Sequence, residues 1–103
     1  MAKIVKISME EASRRLGDVP DGKHFWCHDG KLIKNVGELE KALNDMSDET
    51  FHYHSVEGRN DFSNWIRDVV GDNKLANDLS KAKSRIQASK AVAQRISFLQ
   101  SKV

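Results

Sequence analysis

The segment from Phe51 to Ile66 constrains the fold of this chain more than any other. It reads Phe-His-Tyr-His-Ser-Val-Glu-Gly-Arg-Asn-Asp-Phe-Ser-Asn-Trp-Ile and holds four of the seven aromatic residues and two of the four histidines. Large rings bury more area per residue than any other side chain, so a fold that includes them is organised around them. Asn60 is a good helix N-cap, and Asp61 behind it suits the positive end of a helix dipole. Phe62, Trp65, Ile66 and Val69 follow the i, i+3, i+4, i+7 spacing of a helix with a wide buried face. Gly71 ends that helix and Asp72 caps the next. Phe51 to Ser55 alternates ring and imidazole and reads as a short strand or an extended segment.

The flanking sequence supplies the remaining elements. Ile4-Val5-Lys6-Ile7 has the composition of a short strand. Ser8 and Glu11 have capping-box spacing, and Glu10 and Glu11 stand four residues before Arg14 and Arg15, which predicts a helix over 9–16 stopped by Gly17. The only proline, Pro20, lies in the strongest turn cluster, Gly17 to Gly22. Residues 23–34 read as a β-hairpin, with His24 to Cys27 and Lys31 to Lys34 around His28-Asp29-Gly30. Asn35 then opens a helix carrying Val36, Leu39, Leu43 and Met46 on one stripe, with Ala42 beside them. From Asn73 onward no glycine or proline interrupts the chain, and one long amphipathic helix is expected over about 73–101. Its apolar stripe runs through Leu75, Leu79, Ala82, Ile86, Ser89, Ala93, Ile96 and Val103, and Val92 and Leu99 widen it. The expected architecture is a single α+β domain over residues 1–103. A small antiparallel hairpin or three-stranded sheet packs on three to four helices, with a compact body over about 1–80.

The pattern Phe51-x-Tyr53-His54, a short loop and Asn60-Asp61-Phe62-x-x-Trp65-Ile66 is followed by Gly71-Asp72-x-x-Leu75-Ala76. Upstream stand Phe25, Asp29-Gly30 and the Leu39 to Leu43 helix. On these residues the chain resembles a prokaryotic, largely archaeal, family of small domains of unknown function, over roughly residues 20–80. The resemblance implies a shared α+β fold and no particular activity.

Composition narrows the function classes. At 39% hydrophobic and 31% charged residues the chain is of ordinary globular type, and at 103 residues it is expected to be stable by roughly 5–10 kcal/mol. No apolar run approaches the roughly 20 residues that span a bilayer, and the N-terminus has no apolar signal core, so no membrane is expected. A single cysteine, Cys27, agrees with a reducing cytoplasm. The net charge of +2 hides an asymmetry. Residues 1–78 carry eleven Lys and Arg against fifteen Asp and Glu, a balance of −4, whereas residues 79–103 carry six basic residues and no acid.

Four constellations carry chemistry. His24-x-x-Cys27-His28 precedes His52-x-His54, so Cys27, His28, His52 and His54 are the candidate metal ligands, although no Cys-x-x-Cys supports them and core or exposed histidines are the simpler reading. His54, Glu57 and Asp61 could meet around Gly58 as an acid–base set, yet Asp61 is equally accounted for by the helix start, and no nucleophile has an evident partner. Phe51, Phe62 and Trp65 are at core spacing. Trp26 is adjacent to Phe25 on the expected strand, so it faces the other way and is either exposed for binding or covered by the long helix. Finally Lys74, Lys81, Arg85, Lys90, Arg95 and Lys102 line the C-terminal helix and could meet phosphates or an acidic protein surface. The chain is therefore expected to be a cytoplasmic, non-enzymatic interaction module without cofactor, self-associating or binding a protein through residues 75–103. The alternatives are a nucleic-acid-binding protein using the basic helix, and a small metal or acid–base site around the histidines.

Overall fold

Local capping sets out most of the helices. A computed structural model of the chain describes residues 7–56 and 58–103. Helix α1 (Met9–Leu16) starts where the Ser8 side chain accepts the Glu11 N–H, and it stops at Gly17, whose N–H reaches back to Ser13 and Arg14. Only half of the expected capping box forms, because the Glu11 carboxylate turns instead to Arg14 and Arg15. The expected strand at Ile4 to Ile7 lies, apart from Ile7, outside the described residues.

Strand β1 (Phe25–Trp26) pairs antiparallel with β2 (Leu32–Ile33), Phe25 opposite Ile33 and Trp26 opposite Leu32. Gly30 closes the connection with φ +93°, a conformation that side chains resist. Helix α2 (Val36–Asp45) is capped by Asn35 and buries Val36, Leu39, Ala42 and Leu43.

Phe51 to His54 is helical, not extended. Helix α3 (Asp48–His54) is capped by Ser47, whose hydroxyl accepts the Thr50 N–H, and it carries Asp48 and Glu49 in its first turn. Phe51 and His54, three apart, turn inward, while His52 and Tyr53 turn out. Five residues are too few to separate period two from period 3.6, and the cap decides. Strands β3 (Ser55–Val56) and β4 (Arg59–Asn60) then form a second antiparallel pair, with Gly58 at φ +80° in the turn.

Helix α4 (Asp61–Trp65) is capped by Asn60 as expected, but it widens into a π-helical turn over Ile66–Val70. The wider turn brings Val70 into the core where α-helical spacing had placed Val69, which is only half-buried. Gly71, at φ +83°, ends it by donating its N–H to the Ile66 carbonyl.

The expected single C-terminal helix is two helices. Helix α5 (Asn73–Lys81) is capped by Asp72, and α6 (Arg85–Gln100) by Ser84, whose hydroxyl accepts the Gln87 N–H. Gln87 in turn accepts the Lys83 N–H. This Ser-x-x-Gln pattern is a capping signal strong enough to restart a helix without any glycine or proline. The restart also rotates the buried face. Helix α6 buries Ala88, Ser89, Val92 and Leu99, and leaves Ile86 and Val103 exposed. It lies against α2, α1 and α5.

The architecture is thus α+β, with six helices and two small two-stranded sheets among the described residues, more helices than the three or four expected. The aromatic rings meet at its centre. Phe62 stacks on Phe25 and Phe51 at centroid distances of 5.2 and 5.8 Å, and Trp65 meets Phe25 edge-on at 5.9 Å. The Trp65 indole N–H is satisfied by the Lys23 carbonyl at 2.8 Å.

Candidate functional site

His54 is placed by α3, and its ring is held at both ends. Nε2 accepts the backbone N–H of His28 at 2.9 Å, which leaves the proton on Nδ1 to be donated to Asp61 Oδ2 at 3.0 Å. The ring is buried, with Phe25 edge-on to it at 5.1 Å. Arg59 lies 3.6 Å from the other Asp61 oxygen and donates to the Tyr53 carbonyl. Of the acid–base set, His54 and Asp61 therefore meet, and Glu57 lies outside the described residues. The pair ties the β1–β2 turn to the start of α4. It leaves no ring lone pair open to a substrate.

The candidate metal ligands do not converge. Cys27 is buried, and burial pushes its thiol up, away from the thiolate that binds metals. The His28 ring stacks on Tyr53 at 3.8 Å, His52 is exposed, and both His54 nitrogens are bonded within the chain. Among the described residues no three His, Cys, Asp or Glu side chains are grouped to hold one ion.

The basic residues divide into two kinds. Arg85 turns inward, donating to the Leu43 and Asn44 carbonyls at the end of α2 and to Asp48. Arg95 grips Asp72 through Nε and an Nη at 2.8 and 3.0 Å. Lys74 pairs with Asp78 one helical turn away. Lys81, Lys90 and Lys102 remain exposed, Lys102 with its ammonium 5.2 Å from the centre of the Phe98 ring.

Two features stand out on the surface. The first is an aromatic face. Burial alternates along Phe25, Trp26, Cys27 and His28, so Trp26 and His28 share the outer side of the hairpin. Trp26 is 72% exposed and Tyr53, under His28, is 52% exposed. Val56 is exposed close by in sequence.

The second is a cleft of about 750 Å3 between Ile7, the head of α5 and the outer side of α6. Asp72, fully buried, forms its floor. Arg95 pairs with that carboxylate from one side, and Arg15 approaches it at 3.5 Å from the other. Phe98 forms part of the wall. Sequence reading assigned Asp72 to a cap and Arg95 to an outer stripe, and did not single out Arg15. No local signal marked it, because Glu10 and Glu11 match Arg14 and Arg15 in number along α1.

The model of a protein family described as a family of unknown function (DUF5752) matches residues 22–99. The match covers the hairpin through nearly all of α6, further than the 20–80 span of the motif. No curated protein and no solved structure matches the chain significantly. No helix among the described residues is long and apolar enough to cross a membrane.

Proposed function

The chain belongs to that family of unknown function, and from this footing we propose that it is a non-enzymatic interaction module that binds a protein partner through its aromatic face. The single observation that carries this reading is Trp26, 72% exposed beside the stacked His28–Tyr53 pair. A tryptophan exposed to this extent offers on the order of 150–200 Å2 of ring surface, about 4 kcal/mol of hydrophobic free energy to whatever covers it. Rigid aromatic side chains of this kind are the usual anchors of protein interfaces. Charges of both signs flank the hairpin in the sequence, with Asp21 and Lys23 before it and Asp29 and Lys31 in its turn. A mixed charge pattern of this sort suits a protein surface better than a run of phosphates.

This reading moves the contact surface away from α6. Ala88, Ser89, Val92 and Leu99 of that helix face its own body and Arg85 and Arg95 point inward, so what is left there for self-association or phosphate binding is Ile86, Phe98 and Val103 with Lys81, Lys90 and Lys102. The engagement of both His54 nitrogens likewise supports a structural role for the histidines over a catalytic one.

The test is site-specific photo-crosslinking in the native host. A photoreactive phenylalanine replaces Trp26 or Tyr53, and Lys90 serves as the control position. The expected result is one discrete protein adduct from both aromatic positions and none from Lys90. Adducts to nucleic acid, or equal labelling from Lys90, refute the proposal.

A further inference from the structure

We propose that the cleft over Asp72 is a binding site for a small organic monocarboxylate with an apolar body. Nothing in the aromatic-face reading requires it. Three independent features meet there. The first is unused donor capacity. Asp72 accepts from Leu75, from Arg95 and, more distantly, from Arg15. That uses Arg95 Nε and one Nη, and Arg15 bonds Glu11 through Nε. One Nη group of each guanidinium has no hydrogen-bond partner among the described residues, and both arginines line the cleft. Their side chains are only 12% and 17% exposed, so the donors are held in place and partly dehydrated. Fixed guanidinium donors are the standard means of holding a carboxylate.

The second feature is charge. Among the residues that line the cleft, three cations, Arg15, Arg95 and Lys74, stand against two carboxylates, Asp72 and Asp78. One positive charge is left over, which matches a monoanion. A phosphate dianion would overshoot that single charge. The first amides of α5, Asn73 and Lys74, are on the same wall, where the helix dipole favours negative charge.

The third feature is shape. Ile7, Ala91 and Phe98 supply apolar wall to a space of about 750 Å3, within the range of small-molecule sites. The floor is carried on Gly71 and Asp72, where the π-helical turn at Ile66–Val70 ends. Such turns recur at functional sites because they displace the following residues from α-helical register.

The experiment is amide NMR titration of the full chain with octanoate, 1-octanol and inorganic phosphate at one ionic strength. Octanoate is expected to saturate at a Kd below about 1 mM, with shifts confined to Gly71, Asn73, Ala91 and Phe98. Octanol is expected to bind at least about tenfold more weakly, and phosphate not to compete. Gln94→Glu places a carboxylate on an exposed position of the wall, outside the core, and is expected to weaken octanoate by about tenfold with folding unchanged. Equal binding of octanol, competition by phosphate, shifts at the aromatic face, indifference to Gln94→Glu, or no saturation by about 10 mM octanoate each overturns the proposal.

Discussion

Replacing Asp72 by asparagine tests whether one buried charge holds three elements together. Asp72 is fully buried, caps α5 through the Leu75 N–H, and receives Arg95 of α6 in a two-pronged contact with Arg15 of α1 behind it. Asparagine keeps an oxygen for the cap but removes the negative charge. Two guanidiniums are then left facing each other over a neutral side chain. Breaking a buried pair by removing one partner costs about 3–5 kcal/mol, and the 12% exposure of Arg95 places this case at the lower end, about 3 kcal/mol. Asp72→Ala loses the cap as well, which adds about 1 kcal/mol. Against a total stability of roughly 5–10 kcal/mol, either change is large. The assay is urea denaturation followed by circular dichroism, with Arg95→Met and the double variant completing a cycle. The double variant is expected to recover part of the loss, because the stranded cation is gone. A cost of Asp72→Asn below about 1 kcal/mol would place the pair with exposed surface bridges and refute the reasoning.

The two tryptophans separate core from surface. Trp65→Ala is expected to cost about 3–5 kcal/mol, because its buried ring leaves a cavity and the Lys23 carbonyl loses its donor, whereas Trp26→Ala stays within about 0.5 kcal/mol; denaturation midpoints decide, and similar costs refute the assignment. Hydrogen bonds from Arg14, then Arg15, hold the Glu11 carboxyl down at about 2 from its ordinary 4.5. Its folded-state pKa is the lower one, so its contribution is present above pH 4.5 and is lost as pH falls toward 2. Glu11→Gln is expected to flatten the acid limb of the stability profile in that window, and an unchanged limb counts against the pair. Burial pushes the Cys27 thiol up, so iodoacetamide at pH 8 is expected to label it far more slowly in the folded chain than in urea; equal rates show that the thiol is open.

Residues that act on their near neighbours were legible in the sequence. Ser8, Asn35, Asn60 and Asp72 cap the helices expected of them, and Gly17 and Gly71 end them. A cap needs only a side-chain oxygen and an amide three residues on, so its meaning is local. The hairpin at Asp29-Gly30 and the inward faces of Phe62, Trp65 and Ile66 follow from the same short-range rules. The α3 helix and the break before α6 were written just as locally, in Ser47 and in Ser84 with Gln87. They were outweighed by the alternation of Phe51 to Ser55 and by an apolar stripe that looked continuous.

The candidate sites were a different matter. His54 finds its partner in the His28 amide 26 residues away, and Arg85 finds the end of α2 more than 40 residues away. Arg95 reaches Asp72 only because α6 restarts with a rotated face. Charge along the sequence showed a basic C-terminal segment but not which cations point inward. The sequence by itself determined where helices begin and which rings form the core, because capping and periodicity are set within a few residues. Only the tertiary structure decided which charges are neutralised, which aromatics stay in solvent and where the cleft opens, because each depends on what distant elements place opposite them.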